Sequence, residues 1–529
     1  MFDAVIKNGL IVDGTRAKPY NAALYIKDGK IAEISADGDK PAKNVYDAAG
    51  HVVAPGFIDI HSHSDISYLA TPTMEAKLIG GVTFELVGQC GISAVPMCDR
   101  NIELNLSSQS SVVKFRPNRD NFIPRDVLSY AKDVEEHGIS INVGTLIGHG
   151  AIRSSVIGWE MRQMTEEELA DACDLLDKML EQGAAGISFG LIYPPGSFCD
   201  TSEILALAKV VAKHDKILAV HMRNENKGVF DALDEMIGVA LKTGVKLQIS
   251  HLKLMGSTQF GRTDELFAKI ELARAKGVRI HADQYPYSTS HSVLTSSFPK
   301  WVTAGGYPAL VERLKDDETF AEIIKDGLPE MYNRGGPENI TVGEIPNGDY
   351  PEIIGKNLIE IAEMLNMDLF DALRHILIKC NGCIQCLYKC MDDNDVLTIM
   401  SRKDVCVCSD GAAFPLDDPN GHVHPRNTGT FPRFLKMVRE NDLMPIEDAV
   451  YKITGLPATL MGCADRIGFL KPGMNADITV FDFDTVEDGA TFEHPTLKPA
   501  GIDMVFVNGE VVLDHGVFTE NRPGKVMLV

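Results

Sequence analysis

The feature that most constrains the fold is a long alternation of short apolar segments with helical segments between about residues 56 and 460. One helical segment is MTEEELADACDLLDKMLEQG at 164–183, where Thr165 stands at the N-cap and Glu168 follows three residues later. Strands separated by single helices are typical of βα units and a parallel sheet. About eight such units in about 400 residues predict a (β/α)₈ barrel, in which side chains at the carboxyl ends of the strands line the mouth.

The two ends of the chain have a different pattern. Residues 1–55 and 465–529 contain short alternating segments, such as AVIKNGLIVDG and IDMVFVNGEVVLDHG, and their Asn-Gly and Asp-Gly pairs are typical of hairpin turns. Residues 291–350 interrupt the alternation and are rich in Pro and Gly. We therefore expect an α/β protein with a (β/α)₈ TIM-like barrel over 56–464 and an insertion at about 291–350, late in the barrel. Both chain ends together should build a small β-sandwich domain.

Charge and composition restrict the partners and the compartment. The 529 residues include 51 Lys and Arg against 74 Asp and Glu, which gives a net charge of −23. This balance argues against nucleic acid and anionic membrane surfaces, because both require cationic patches. The chain starts MFDAVIKNGLIVDG, without the pattern of a signal peptide, and it contains an odd number of cysteines, eleven. We expect a cytoplasmic protein with a small-molecule partner, no nucleic acid and no membrane.

The strongest local motif is GFIDIHSHSD at 56–65. His61 and His63 are two residues apart after an apolar run, so on a strand both side chains face the same way. Two imidazoles at a strand end form a chelate for a cation such as zinc, although two surface histidines in a turn would give the same pattern. Further candidate ligands follow predicted strands in the same way. They are Cys90, His221, His251 and Asp410.

A second cysteine motif, KCNGCIQCLYKC, places Cys380, Cys383, Cys386 and Cys390 in the C-x₂-C-x₂-C-x₃-C spacing of iron–sulfur ligation. Met391 stands where a proline normally follows, and the sequence contains no partner motif. Packing of these cysteines as small apolar residues explains the segment better than a cluster does.

The chain resembles the D-aminoacylases, or N-acyl-D-amino-acid deacylases, of the metal-dependent amidohydrolase superfamily. The resemblance runs in order from residue 56 to the tail. It is carried by IDIHSHSD, VGQCGIS, IGHGAIR, GISFGLIYPPG, VHMRNE, QISHLK, DQYPY, SDG, HPRNTGTFPR, TGLPA, GMNADITVFD and VNGEVVLDHG. GLIYPPG and HPRxxGTFPR are specific to this family within the superfamily.

The resemblance implies a zinc site. Cys90, His221 and His251 would be the tight ligands, with His61, His63 and Asp410 around a weaker second position. Hydantoinase-like relatives bridge two metals with a carbamylated lysine on the fourth strand, where this chain has Ser188. A cysteine thiolate can supply that anionic bridge, because zinc deprotonates a coordinating thiol.

The resemblance also implies roles in hydrolysis of an N-acyl-D-amino acid to a D-amino acid and a carboxylic acid. Asp410 would take a proton from the attacking water and give it to the leaving amine. The substrate α-carboxylate requires cations, and the matching positions are Arg426 and Lys253, together with Tyr285. Tyr193 should line the same pocket.

Two departures concern substrate choice. Residues 288–291 read Ser-Thr-Ser-His where the family has a small Ala-Gly-Ser segment, and Ser64 stands where relatives often have Asp. A cyclic-amide or D-amino-acid-containing dipeptide hydrolase is the alternative within the superfamily, although the missing lysine disfavours opening of hydantoin-like rings. A non-catalytic scaffold is a further alternative, and it would require broken metal ligands, which this sequence does not have.

Overall fold

The computed structural model describes residues 1–110, 124–346, 349–417 and 424–529. Its strands are β1 (Phe2–Ile11), β2 (Tyr20–Lys27), β3 (Lys30–Ser35), β4 (Ala42–Asp47), β5 (Val52–Pro55), β6 (Phe57–Asp59), β7 (Val82–Val87), β8 (Asn142–Thr145), β9 (Ile147–Gly148), β10 (Gly186–Gly190), β11 (Ile217–His221), β12 (Lys246–Ile249), β13 (Ile280–Gln284), β14 (Thr289–Val293), β15 (Ile340–Glu344), β16 (Gln385–Lys389), β17 (Val405–Val407), β18 (Ile478–Phe481), β19 (Ile502–Val507), β20 (Glu510–Asp514) and β21 (Val517–Phe518). Its α-helices are α1 (Glu75–Leu78), α2 (Ile102–Ser110), α3 (Val127–His137), α4 (His149–Ile157), α5 (Glu166–Glu181), α6 (Thr201–Lys213), α7 (Val229–Thr243), α8 (Thr263–Ala275), α9 (Tyr307–Lys315), α10 (Asp317–Asn333), α11 (Leu358–Leu365), α12 (Leu369–Lys379), α13 (Asp393–Ser401), α14 (Arg426–Asn441), α15 (Ile446–Ile453) and α16 (Gly455–Met461).

A parallel barrel forms the centre of the molecule, as the strand–helix alternation predicts. In the described part of the chain, parallel pairing runs through β6, β7 and β8, continues from β9 through β10, β11, β12 and β13, and ends at β17. A single residue, Leu146, separates β8 from β9, and its N–H bonds to the carbonyl of Val87 in β7. The ring closes where Ser62, after β6, forms a parallel bridge with Gly411, after β17. Counting β8 and β9 as one strand, this is the predicted (β/α)₈ barrel.

Local sequence explains the elements of the barrel. The strand VTFELV of β7 is buried at every position, as expected for a parallel strand covered on both faces. Helix α5 begins at the predicted N-cap, where Thr165 accepts from the N–H of Glu168 and the Glu168 side chain bonds back to the N–H of Thr165. This capping box satisfies two N–H groups that a helix start otherwise leaves without partners.

Both chain ends contribute to one sheet with its own apolar core, in which β18 of the C-terminal segment pairs with β5 of the N-terminal segment. Asp28-Gly29 and Asn508-Gly509 form the tight turns of hairpins β2–β3 and β19–β20. Asn8-Gly9 does not form the expected hairpin turn, because β1 continues through it with a bulge. A Cβ on Gly9 would lie 2.4 Å from Cγ2 of Val53, so close packing of β5 explains this glycine.

The insertion forms an antiparallel sheet in which β16 lies between β14 and β15. Helices α9 to α12 lie between these strands in sequence. Because β16 spans 385–389, the inserted unit extends further along the chain than the 291–350 that the Pro and Gly content indicates. Composition marks the irregular part of the insertion and misses the strand that completes its sheet.

The four cysteines at 380–390 belong to this inserted unit, and all of them are buried. Burial raises the pKa of Cys386, on the central strand β16, above its usual value. Among the described residues these cysteines do not form a metal-ligating group. They pack as small apolar side chains, as the sequence interpretation favoured. Within the same described ranges, no helix combines the length and apolar content needed to cross a bilayer.

Candidate active site

A cavity of about 400 Å³ opens at the carboxyl ends of the barrel strands. Nine of the ten residues predicted for the site line it. They are His63, Cys90, Tyr193, His221, His251, Lys253, Tyr285, Asp410 and Arg426. The tenth, His61, is fully buried behind the wall and contacts both Cys90 and Asp410. Tertiary folding thus brings together residues that are up to 365 positions apart (61 to 426).

The Cys90 sulfur lies at the centre of the histidines. Its distance is 3.4 Å to Nε2 of His61, 3.4 Å to Nε2 of His251 and 3.8 Å to Nδ1 of His221. One ligand atom from each of His61, Cys90, His251 and Asp410 lies within 4.8 Å of the others. The sulfur therefore contacts both predicted tight partners, and His61 stands as close to it as His251 does.

This arrangement fits zinc. With Zn–S near 2.3 Å and Zn–N near 2.05 Å, a sulfur and a nitrogen on one tetrahedral zinc lie about 3.5 Å apart. The observed separations of Cys90 from three imidazoles, 3.4 to 3.8 Å, agree with that spacing. Thiolate and imidazole are also the donors that zinc prefers. The buried residues present could hold the ion.

Electrostatics favour the thiolate form of Cys90. Burial opposes ionisation, yet the charges of His61 and His251 and hydrogen bonds from His221 and His251 hold the pKa of Cys90 well below its usual value. Asp410 is similar: burial raises its pKa, but Arg426, His251 and the hydrogen bonds of His61 and His63 hold it well below the usual value. Both acidic groups are therefore ready as anionic ligands.

Asp410 connects the histidine pair to the cationic side of the cavity. Its Oδ1 lies 3.3 Å from Nε2 of His61 and 3.2 Å from Nε2 of His63, and its Oδ2 accepts a 2.8 Å hydrogen bond from Arg426. The Asp410 N–H also bonds to the carbonyl of His61 at 2.9 Å. Side chain and backbone together fix this carboxylate relative to the first strand.

Three of the clustered residues have left-handed backbone conformations. The φ angles are 52° for Cys90, 36° for His251 and 48° for Asp410. Such a conformation costs non-glycine residues of order 1–3 kcal/mol and persists where the surroundings enforce it. Its occurrence at three separate strand ends that meet in one cavity supports a functional role for all three.

Ser188 explains how the loop after β7 holds Cys90. The Ser188 hydroxyl accepts from the N–H of Gly91 at 3.0 Å and donates to the carbonyl of Gly88. On the same strand, a Cβ on Gly190 would lie 2.0 Å from the Cys90 carbonyl oxygen. Strand β10, which has no lysine at this place, thus supports the loop that contains Cys90 in two ways. The Ser188 hydroxyl bonds to the backbone of the loop, and Gly190 leaves room for the Cys90 carbonyl group.

Glu225 is a site residue that the sequence interpretation missed. Its carboxylate lies 3.1 Å from Nδ1 of His251, 2.5 Å from the Lys253 ammonium and 3.4 Å from Nε2 of His221. Burial raises its pKa, but His221, Lys253 and His251 hold it well below the usual value. Glu225 orients two predicted ligands, and its position four residues after His221 was the available signal.

Asp283, on β13, is a second missed residue. Its Oδ1 approaches Nδ1 of His61 to 3.3 Å and accepts a 2.6 Å hydrogen bond from the N–H of His251. A carboxylate behind a metal-ligating histidine fixes the tautomer and the ring orientation. The sequence signal that could have identified Asp283 was an acidic residue in a strand of alternating pattern, two residues before the predicted site residue Tyr285.

The residues predicted to bind substrate all line the cavity. The Arg426 guanidinium lies 4.7 Å from the centre of the Tyr285 ring, and the buried Tyr285 hydroxyl has no hydrogen-bond partner among the described residues. Tyr193 packs edge-on against His221 with ring centres 5.0 Å apart, and its hydroxyl lies 3.1 Å from that of Ser292. Lys253 lies 2.8 Å from Nδ1 of His251. The roles of these four residues in substrate binding are predictions.

Comparison with known proteins identifies relatives over the full length of the chain. The Amidohydrolase family model matches residues 44–325 and 395–513. D-aminoacylase of Alcaligenes xylosoxydans xylosoxydans is 33% identical over 99% of this chain and 97% of its own. A solved N-acyl-D-glutamate deacylase from Bordetella bronchiseptica, complexed with zinc and a phosphonate mimic of the tetrahedral intermediate, is 32% identical, covers 100% of both chains and has a TM-score of 0.83. A solved D-aminoacylase, described as having a binuclear centre with one-metal activation and second-metal attenuation, is 31% identical over 99% of both chains with a TM-score of 0.83.

The match to the family model spans most of the chain, and both the chain ends and the barrel are shared with the relatives. The cluster of thiolate, imidazole and carboxylate groups lies at the mouth of that shared barrel. On sequence, fold and site together, the chain belongs to the amidohydrolase family, in the group that includes D-aminoacylase.

Proposed function

We propose that this protein hydrolyses the amide bond of N-acyl-D-amino acids, releasing a D-amino acid and a carboxylic acid. The observation that carries the proposal is one cavity lined both by the metal-ligating cluster around Cys90 and by the cationic side chains of Arg426 and Lys253. An amide with a neighbouring carboxylate requires both. The D-aminoacylase and deacylase relatives support the same reaction.

We propose zinc as the metal, held tightly by Cys90, His221 and His251, with His61, His63 and Asp410 around a weaker second position. Zinc bound there would polarise the scissile carbonyl and make a water molecule more acidic. The 3.4–3.8 Å spacing around the Cys90 sulfur supports the tight set. The binuclear D-aminoacylase relative supports a second position.

Asp410 acts as the general base and then as the general acid. A carboxylate suits both steps, since it first accepts a proton from the attacking water and then delivers it to the departing amine. In the structure Asp410 pairs with Arg426 at 2.8 Å. A substrate carboxylate that binds Arg426 competes for this guanidinium and frees Asp410 for the proton transfer.

Arg426, Lys253 and Tyr285 hold the substrate α-carboxylate, and Tyr193 lines the pocket beside His221. Arginine offers two parallel hydrogen bonds to a carboxylate, and lysine adds a point charge. The buried Tyr285 hydroxyl without a partner supports a ligand at this place. Holding the substrate at several points fixes which face of its α-carbon is presented and therefore selects the D enantiomer.

The test is hydrolysis of N-acetyl-D- and N-acetyl-L-amino acids, and of the matching carboxamides, by the zinc-loaded protein. Wild type should favour the D acid. Arg426→Ala should lower kcat/KM by about 10- to 150-fold, the value of a hydrogen bond to a charged group, and should reduce the D/L ratio. Arg426→Lys should recover part of the loss.

Equal hydrolysis of the acid and its carboxamide by wild type would show that no carboxylate clamp exists. The cyclic-amide or dipeptide alternative would then be the better assignment. A small N-acyl amino acid is the only partner that the proposal requires, and a cytoplasmic location stays a prediction from the sequence.

A further inference from the structure

Arg334 is a buried cation on the wall of the cavity that the proposed mechanism does not use. It follows helix α10 in the inserted unit, and its side chain is 6% exposed. It lines the same cavity as Cys90 and Asp410. The substrate would therefore meet a third cationic group, one supplied by the insertion and separate from Arg426 and Lys253.

The protein uses few of the donors of Arg334. Nε donates to Oε1 of Glu330 at 3.0 Å, and the guanidinium lies 5.6 Å from the centre of the Tyr388 ring. Among the described residues, no other hydrogen bond of this side chain is present. Glu330 is itself 29% exposed and also accepts from Asn226 at 2.8 Å. The two terminal nitrogens of the guanidinium remain for a ligand.

Arg334 and the metal-ligating cluster line the same cavity. Tyr193 also lines this cavity, and its ring packs against His221 with ring centres 5.0 Å apart. The insertion thus places a guanidinium at the cavity that contains Cys90 and Asp410.

Burying a guanidinium with one partly exposed carboxylate as its partner is costly, since the loss of hydration is not fully offset. A planar fork with free terminal N–H groups matches a carboxylate through two parallel hydrogen bonds. The lining of the cavity also includes apolar side chains, among them Ile92, Trp159 and Met255. A cavity with both apolar and cationic side chains suits an aliphatic arm that ends in an anion.

We propose that Arg334 binds a second carboxylate of the substrate and so selects dianionic N-acyl-D-amino acids. The second carboxylate belongs either to the amino-acid side chain or to the acyl group. This inference rests on the proposed deacylase function.

The experiment measures kcat/KM of the zinc-loaded enzyme on two isosteric pairs. N-acetyl-D-glutamate against N-acetyl-D-glutamine tests a side-chain carboxylate. N-succinyl-D-leucine against N-succinamoyl-D-leucine tests an acyl carboxylate. In one pair the charged member should be favoured by about 10- to 150-fold, and Arg334→Met should bring that ratio close to one. Arg334→Lys should restore part of it. The control Lys325→Met removes an exposed charge from the same inserted helix and should leave the ratio unchanged.

Ratios near one in wild type for both pairs would overturn the role of Arg334 while leaving the deacylase function intact. Failure of wild type to hydrolyse any of the four compounds would instead refute the deacylase function. If Arg334→Met does not fold, product inhibition of wild type decides: D-glutamate should inhibit more strongly than D-glutamine for a side-chain site, and succinate more strongly than succinamate for an acyl site. Equal inhibition within both pairs would overturn the proposal.

Discussion

Lys77 offers a strong test of how the barrel holds its metal-binding strand ends. Its ammonium lies 2.9 Å from Oδ2 of Asp59 and 2.9 Å from Oε1 of Glu85, and all three side chains are at most 1% exposed. It also donates to the Ser409 hydroxyl at 2.7 Å. Asp59 in turn accepts from the N–H and the hydroxyl of Ser409. The group therefore ties the strand before His61 to the segment before Asp410.

Lys77→Met removes the only cation of this group among the described residues and leaves two buried carboxylates together. Breaking a buried pair by removing one partner costs about 3–5 kcal/mol, because the remaining charge is uncompensated. That is a large share of the 5–15 kcal/mol that stabilises typical folded proteins. We therefore expect the free energy of unfolding to fall by about 3–5 kcal/mol. Zinc content should also fall, because the contacts of Lys77 that connect the strand before His61 to the segment before Asp410 are lost.

Urea unfolding measures the change through the midpoint at constant slope, and zinc is quantified in the same preparations. Lys213→Met is the matched control, because its ion pair with Asp177 is largely exposed and should be worth less than about 1 kcal/mol. Adding Glu85→Gln to Lys77→Met should recover part of the loss, since one unpaired charge disappears. A loss below about 1 kcal/mol for Lys77→Met alone would refute the argument that this buried charge group is structural.

Four further outcomes follow from the site and its supports. Cys90→Ala should lose bound zinc and activity, as measured by metal analysis and by hydrolysis assays with and without added zinc; full zinc content would contradict the ligand assignment. Asp410→Asn should keep the fold, shown by circular dichroism, and lower kcat by about 10²–10⁴-fold, the usual range for general acid–base catalysis. Gly190→Ala should weaken zinc binding, because its Cβ would meet the Cys90 carbonyl oxygen at 2.0 Å; unchanged zinc affinity in a competition titration would contradict this. Burial and then Arg274 lower the pKa of His281 to about 4, so the folded state keeps it neutral while the unfolded chain binds a proton below about pH 6.5. The free energy of unfolding should therefore decrease by about 1–3 kcal/mol as the pH falls from about 6.5 to 4, because protonation of His281 favours the unfolded chain. His281→Gln should flatten the pH dependence of unfolding in that range.

The insertion connects fold and specificity. The barrel supplies the groups that are proposed to act on the amide, whereas the inserted unit supplies Arg334 to the same cavity. Of residues 288–291, where the sequence predicts a departure from the family pattern, the last three are the first residues of strand β14 of that unit. Under the two proposals, substrate choice depends on the part of the chain that interrupts the barrel, and the chemistry depends on the barrel itself.

Local sequence determined the repeating elements of this protein and where its chemistry would lie. Helix α5 could be predicted because its N-cap and apolar periodicity are properties of neighbouring residues. The chelating pair His61 and His63 could be predicted because their spacing on an extended segment sets their common direction. Strand ends in a barrel share one mouth, so the positions of Cys90 and Asp410 directly after predicted strands were enough to expect them near that pair.

Tertiary structure alone decided which groups touch. Glu225 beside His251, and Lys77 between Asp59 and Glu85, depend on distances across the barrel that no local pattern encodes. The pairing of β16 with β14, which lies about 90 residues earlier in the chain, also depends on contacts that no local pattern encodes. Periodicity reports which face of a strand or helix is buried, because burial repeats with the geometry of the element. The neighbour against which that face packs is set by the simultaneous packing of the whole chain, and the orientation of the metal-binding cluster follows from those contacts.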